Sequence, residues 1–278
     1  MKKIITIILA AALVFALAGC GGGDNSGVSG AIENKGPTDE VVVSGEGSSD
    51  NNGEQSTGGS TVEGTGQFGA PAKGDTVAII DVKDYGTIKV RFFADKTPKA
   101  VENFLTHAKN GYYNGLGFHR IIKDFMIQGG DPLGSGMGGE SIWNKGFKVE
   151  IDNDLRHYAG ALSMARSNAI DSQGSQFFIV QNEKFSPMTE AAWKQTESQA
   201  KSTASKNKTP LVTFPKEVRD NYAKHGGSPH LDGSYTVFGQ VYEGLSIVNK
   251  IAKVKVGSDG QTPTKKPVIE KITVEEIK

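Results

Sequence analysis

Short apolar runs set off by glycine recur from Thr76 onward, and this pattern constrains the fold more than any other feature. Val77-Ala78-Ile79-Ile80-Asp81-Val82 and Ile88-Lys89-Val90-Arg91-Phe92 flank a Tyr85-Gly86 turn, the signature of a β-hairpin. Comparable runs lie at residues 117–122, 160–165, 176–180 and 236–241, and residues 268–277 alternate like a strand. Two stretches switch to a helical period. Thr97-Pro98 reads as an N-cap followed by proline at the first helical position. Ala100, Val101, Phe104, Leu105 and Ala108 then share one face, and Gly111 ends the helix. Leu245, Val248 and Ile251 mark a second helix over about residues 244–254. Many short strands with two outlying helices predict a mainly β protein, a closed antiparallel β-barrel capped by two α-helices.

Residues 183–227 interrupt this rhythm. The segment is too long for a hairpin loop and reads as a partly helical insertion. Residues 188–205 are polar and rich in Ala and Lys, and Val218 and Tyr222 stand four apart in a second short helix. Trp193, Phe214, Val218 and Tyr222 are expected to fold back onto the barrel, since exposed together they would invite aggregation. The insertion is expected either to influence which large substrates are accepted, without touching the chemistry on small ones, or to be a neutral surface elaboration.

The first 70 residues have another character. Lys2 and Lys3 precede an apolar run over residues 4–17, and Leu17-Ala18-Gly19-Cys20 follows. The run is shorter than the roughly 20 residues that span a bilayer, so residues 1–19 read as a cleaved signal. Leu-Ala-Gly-Cys resembles the bacterial lipobox, which implies lipidation of Cys20 and a place on the extracytoplasmic face of the cell membrane. Cys20 is the only cysteine, so no intrachain disulfide can form. Between residues 21 and 70 eight acids face one base, Lys35, among Gly, Ser, Thr and Asn. Such a segment buries too little to order itself, and residues 20–70 read as the lipidated cysteine and a flexible linker. Residues 71–278 carry the folded domain. Its basic excess is mild and dispersed, which argues against nucleic acid as a partner.

Several signals lead nowhere. Gly134-Ser135-Gly136-Met137-Gly138-Gly139 has the G-x-G-x-x-G spacing, but residues 142–143 and 147–151 after it look extended instead of helical. There is no G-x-S-x-G elbow. The five histidines (107, 119, 157, 225 and 230) lack metal-ligand spacing, and His119 reads as a hydrogen-bonded core histidine. No metal and no cofactor are expected.

The informative stretch is Gly117-Phe118-His119-Arg120-Ile121-Ile122-Lys123-Asp124-Phe125-Met126-Ile127-Gln128-Gly129-Gly130-Asp131. Later come Gly160-Ala161-Leu162-Ser163-Met164-Ala165, Gly174-Ser175-Gln176-Phe177-Phe178-Ile179, and Leu231-Asp232-Gly233 with Val237-Phe238-Gly239. By composition alone, Phe125, Met126 and Phe178 could be core and Arg120 a surface ion-pair partner. The blocks, however, resemble the cyclophilin signature, in the family's order, over most of residues 76–277 outside the insertion.

The resemblance implies a peptidyl-prolyl cis-trans isomerase acting on X-Pro segments of unfolded or exported proteins. The alternative is a proline-peptide-binding chaperone module with incidental turnover. Isomerisation must break amide resonance, a barrier of about 18–20 kcal/mol, yet it moves no proton. A fixed cationic fork near the prolyl nitrogen favours the twisted state over either planar one, and Arg120 is the residue for it. By family equivalence Phe125, Met126, Phe178 and Leu231 line the slot for the proline ring. Gln128 and Gln176, with the backbone near Ala165 and Arg166, can bond the substrate's main chain. His230, Tyr235 and Arg166 stand at the rim where eukaryotic members have tryptophan, histidine and asparagine. The first departure points away from tight cyclosporin binding.

Overall fold

The computed structural model describes residues 66–278, so the leader, Cys20 and most of the linker lie outside the described residues. Eight strands form one antiparallel sheet: β1 (Thr76–Val82), β2 (Gly86–Phe92), β3 (Arg120–Ile122), β4 (Met126–Gly129), β5 (Ala161–Met164), β6 (Phe177–Val180), β7 (Val237–Glu243) and β8 (Ile269–Glu276). Their spatial order is β3-β4-β6-β5-β7-β2-β1-β8. The predicted hairpin is β1 with β2, paired from Val77 opposite Arg91 to Val82 opposite Gly86.

The sheet curls towards a barrel but has two edges, β3 and β8, where a closed barrel was expected. The segments leading into them meet at one bridge, Gly117 opposite Val268, where Phe118 N–H donates to Pro267 O and Ile269 N–H to Leu116 O, each at 2.9 Å, and Gly115 N–H donates to Ile269 O at 2.7 Å. The local cause is visible in the sequence. Pro267 has no N–H to return to Phe118, and β3 is three residues long, so the pairing stops short of β3 itself.

Helix α1 (Pro98–Lys109) buries Ala100, Val101, Phe104 and Ala108 against Ile80, Ile88, Phe177 and Phe238. Its N-terminus differs from expectation. Thr97 makes no side-chain cap; its hydroxyl donates to Phe93 O instead. The orphan N–H groups of Lys99 and Ala100 are taken by the two carboxylate oxygens of Glu150, at 3.1 and 2.9 Å. That glutamate belongs to residues 147–151, which form no strand and touch the ladder network only where Phe147 bridges Gln173. Helix α4 (Leu245–Ile251) packs Val248 and Ile251 on the same core.

The insertion supplies two further helices, α2 (Glu190–Asn207) and α3 (Lys216–His225). Its aromatic residues do fold back. Trp193, Phe214 and Tyr222 are buried in a cluster with Tyr158 and Val212, with Val218 at its margin. The two ends of the excursion are joined: Gly227 N–H donates to Asn182 O at 2.6 Å, and the Asn182 amide returns a bond to Gly227 O at 2.9 Å. Ahead of β1, a short turn over Gly66–Phe68 also packs. Gln67 bonds Arg156 and Gln240, and Phe68 stacks on His225 with ring centroids 3.9 Å apart. Among the described residues no helix is long and apolar enough to cross a membrane.

Glu150→Ala should lower stability by about 1–2 kcal/mol, because two helix N–H groups lose a charged acceptor. Thermal melting should show a drop of a few degrees with the circular dichroism of the native sheet retained. An unchanged melting point would mean that water replaces the carboxylate without cost.

Candidate active site

The site is a consequence of register. Arg120 lies opposite Gln128, Gln128 opposite Phe178, and Phe178 opposite Ser163, so one row crosses β3, β4, β6 and β5. Side chains alternate faces along a strand. Ile127, Phe177, Ile179 and Leu162 therefore enter the main core, while Met126, Phe178, Val180 and Ala161 enter a second cluster on the opposite face. This explains why β5 and β6 are buried at every position instead of alternating.

The second cluster gathers the residues assigned to the proline slot. Met126, Phe178 and Leu231 are buried, and Phe125, Ala165 and Tyr235 pack around them half-exposed. Phe125 stacks on the exposed His230 ring at 5.7 Å, and Phe178 meets Tyr235 edge-on at 5.8 Å. At the head of this slot stands a polar chain. Arg120 Nη1 donates to Gln128 Oε1 at 3.4 Å, and Gln128 Nε2 donates to Gln176 Oε1 at 2.9 Å. Gln176 Nε2 then donates to Gly138 O at 2.7 Å and Gly136 O at 3.1 Å. Arg120 Nε is held from the other side by Gln261 Oε1 at 2.8 Å. Burial pushes the guanidinium pKa below its ordinary value, and the Tyr235 phenol opposes that shift. Arginine nonetheless remains a cation.

Three residues singled out in the sequence have further features in the structure. Ala165 N–H is already donated to Gln176 O at 2.9 Å, so it is not a free main-chain donor. Arg166 is tied down as well: Nε donates to Ser234 O at 2.8 Å and the guanidinium lies over the Tyr235 ring at 4.8 Å. It thus links two rim loops. His119 is buried as expected, but its ring nitrogens find no partner among the described residues, and burial holds its pKa below the ordinary value.

The glycine run at residues 134–139 wraps a carboxylate. Asp131 accepts from the N–H groups of Leu133, Ser135 and Gly136 at 2.8, 2.9 and 2.6 Å. A side chain at position 138 would collide with that carboxylate, which explains a glycine there. Burial alone would raise the Asp131 pKa, but the N–H donors outweigh it and hold the group below its ordinary value. Beside this loop a cavity of about 210 Å³ opens between Gln176, Gly138 and Arg166. The larger hollow, about 890 Å³, lies elsewhere, between α2, α3 and residues 211–215 of the insertion. The larger hollow therefore lies apart from the row through Arg120 and Phe178.

Sequence reasoning missed Gln261 and the Asp232–His157 pair. Asp232 is fully buried and accepts from both His157 N–H at 2.9 Å and His157 Nδ1 at 2.8 Å. The His157 ring in turn stacks on Phe178 at 6.0 Å with planes 10° apart. Asp232 stood inside a matched block, so its carboxylate was a usable signal; Gln261 had none.

Residues 77–274 match the sequence profile of the family described as cyclophilin type peptidyl-prolyl cis-trans isomerase/CLD. The chain belongs to that family. A Staphylococcus aureus (strain COL) protein described as a peptidyl-prolyl cis-trans isomerase is 43% identical over 196 residues, 69% of this chain and 88% of that one. A Staphylococcus epidermidis relative of the same description is 39% identical over 215 residues, covering 76% and 98%. Among solved structures, a Cryptosporidium parvum cyclophilin type isomerase superposes with a TM-score of 0.54 at 28% identity, covering 73% of this chain and 99% of that one. The same parasite protein was also solved in the presence of the dipeptide Ala-Pro, with a TM-score of 0.53 and 29% identity.

Gln261→Ala in this cyclophilin should release one side of Arg120 and lower kcat/KM on an X-Pro tetrapeptide about three- to tenfold. Melting temperature should hardly move, since Gln261 is a surface-loop residue. Full activity would show that Gln128 alone fixes the guanidinium.

Proposed function

We propose that this cyclophilin isomerises X-Pro bonds of exported proteins on the extracytoplasmic face of the membrane, and that Arg120 stabilises the twisted amide. The observation that supports the mechanism is a guanidinium held on two sides, by Gln261 and Gln128, at the head of the slot formed by Phe125, Met126, Phe178 and Leu231. In the twisted state the prolyl nitrogen becomes pyramidal and gains a lone pair. A donor already in place there interacts more strongly with that state than with either planar isomer. The slot holds the pyrrolidine ring while the acyl side turns. Gln128 and Gln176 offer main-chain partners, and Ala165 and Arg166 act through their carbonyls and loop position.

Arg120→Ala should reduce kcat/KM by at least tenfold, about 1.4 kcal/mol of transition-state stabilisation. Circular dichroism should be unchanged. A folded variant with full turnover on an X-Pro tetrapeptide would remove Arg120 from the mechanism.

The location rests on residues outside the described structure: Lys2 and Lys3, the apolar run at 4–17, and Cys20 at the end of Leu-Ala-Gly-Cys. Residues 20–70 then act as the spacer between lipid and enzyme. Cys20→Ser should leave the protein unprocessed or released from membranes on fractionation. Retention of a processed Cys20→Ser protein in the membrane fraction would show a different anchor.

A further inference from the structure

Tyr222 lies in α3 of the insertion, yet its hydroxyl reaches beneath the isomerase site. It is fully buried and donates to Asp232 Oδ2 at 2.7 Å. Asp232 Oδ1 holds His157, whose ring backs Phe178. The same aspartate belongs to the tight turn that carries His230 and Leu231 into the slot, a turn closed by Leu231 N–H to Ser228 O at 3.0 Å and Asp232 N–H to Pro229 O at 3.1 Å. Arg156 adds a cation 3.7 Å from Asp232 Oδ2 and bonds Thr213 O of the insertion at 3.0 Å.

We propose that Tyr222 is a positioning residue for the isomerase: its hydroxyl fixes the buried Asp232 carboxylate, and through it the His157–Phe178 stack and the turn bearing Leu231. This rests on the reading of Phe178 and Leu231 as walls of the proline slot. The physical ground is that a buried carboxylate has few options. It cannot turn to water, so its orientation is set by the donors that reach it. One oxygen is claimed by His157 of the barrel and the other by Tyr222 of the insertion. Burial and the neighbouring carboxylate keep the phenol protonated, so it remains a donor. On this proposal the insertion completes the support of the slot, and its influence extends to small substrates.

The test is Tyr222→Phe, which removes one oxygen and keeps the ring among Tyr158, Phe185 and Trp193. KM for an X-Pro tetrapeptide should rise about fivefold, with kcat within twofold, at a temperature where the variant is fully folded. The Leu231 methyl resonances should shift in the same sample. Phe185→Leu is the control: it loosens the same aromatic cluster without touching the hydroxyl, and should lower the melting point with KM and the Leu231 methyls unchanged. Should Tyr222→Phe fail to fold, Asp232→Asn leaves a single acceptor oxygen where His157 and Tyr222 both donate, and should raise KM in the same direction. Unaltered KM and Leu231 shifts in the folded variant overturn the proposal. If Arg120→Ala still loses activity in that case, the reading of the site survives; full turnover in folded Arg120→Ala overturns the site reading and this proposal together.

Discussion

The antiparallel ladder that puts Gln128 opposite both Arg120 and Phe178 carries the site with it. A slip of one residue in β4 would turn Met126 and Gln128 into the core and bring Ile127 out to the slot, because side chains alternate strictly along a strand. Such a slip would bury an amide without partners and expose an isoleucine, both unfavourable. The core therefore enforces the register that the proposed mechanism needs. The second apolar cluster fixes the same register from its own side, since Met126, Phe178 and Val180 must also stay out of water. The two faces agree, and this leaves the sheet no competing arrangement.

Beyond the ladder, the slot is finished by loops, two of which are organised around a buried carboxylate. Asp131 gathers the N–H groups of the glycine-rich loop that in turn offers carbonyls to Gln176. Asp232 holds the turn that delivers Leu231. A carboxylate is suited to this work because it can accept several bonds at once in a segment where no helix or strand satisfies the backbone. Loss of one partner from such a group costs about 1–3 kcal/mol. That is a small cost for the fold as a whole, and enough to displace a rim residue.

Much of this was legible in the chain. The hairpin of β1 and β2 and the apolar faces of α1 and α4 follow from local period and residue type, while the motif around Arg120 was readable only through its resemblance to the cyclophilin signature. Where the reading failed, the deciding partner was distant in sequence. Glu150 caps α1 from about fifty residues away, so Thr97 only imitated the cap. Gln261 reaches Arg120 across the seam between β3 and β8, and no periodicity announces it. The closed barrel was an extrapolation from strand count. It gave too little weight to Pro267, which cannot donate, and to the shortness of β3. Gln67 and Phe68 were assigned to the linker by composition, although their contacts are with Arg156, Gln240, Tyr158 and His225.

The insertion shows which of its interactions matter to the enzyme. On its surface Arg219 bonds Glu190 and Glu197, and Lys216 pairs with Asp220. Exposed pairs of this kind contribute about 0–1 kcal/mol each and carry no information to the barrel. The aromatic cluster of Trp193, Phe214 and Tyr222 contributes more, through burial, but a cluster is tolerant: an aromatic exchanged for another apolar side chain repacks. The bond from Tyr222 to Asp232 has no such tolerance, because it is directional and removed from solvent. An excursion stapled at Asn182 and Gly227 could have been held by its apolar face alone. That it also sends a hydroxyl to the carboxylate behind Phe178 ties α3 to the His157–Phe178 stack, so on the proposed reading a shift of α3 would move the floor of the proline slot.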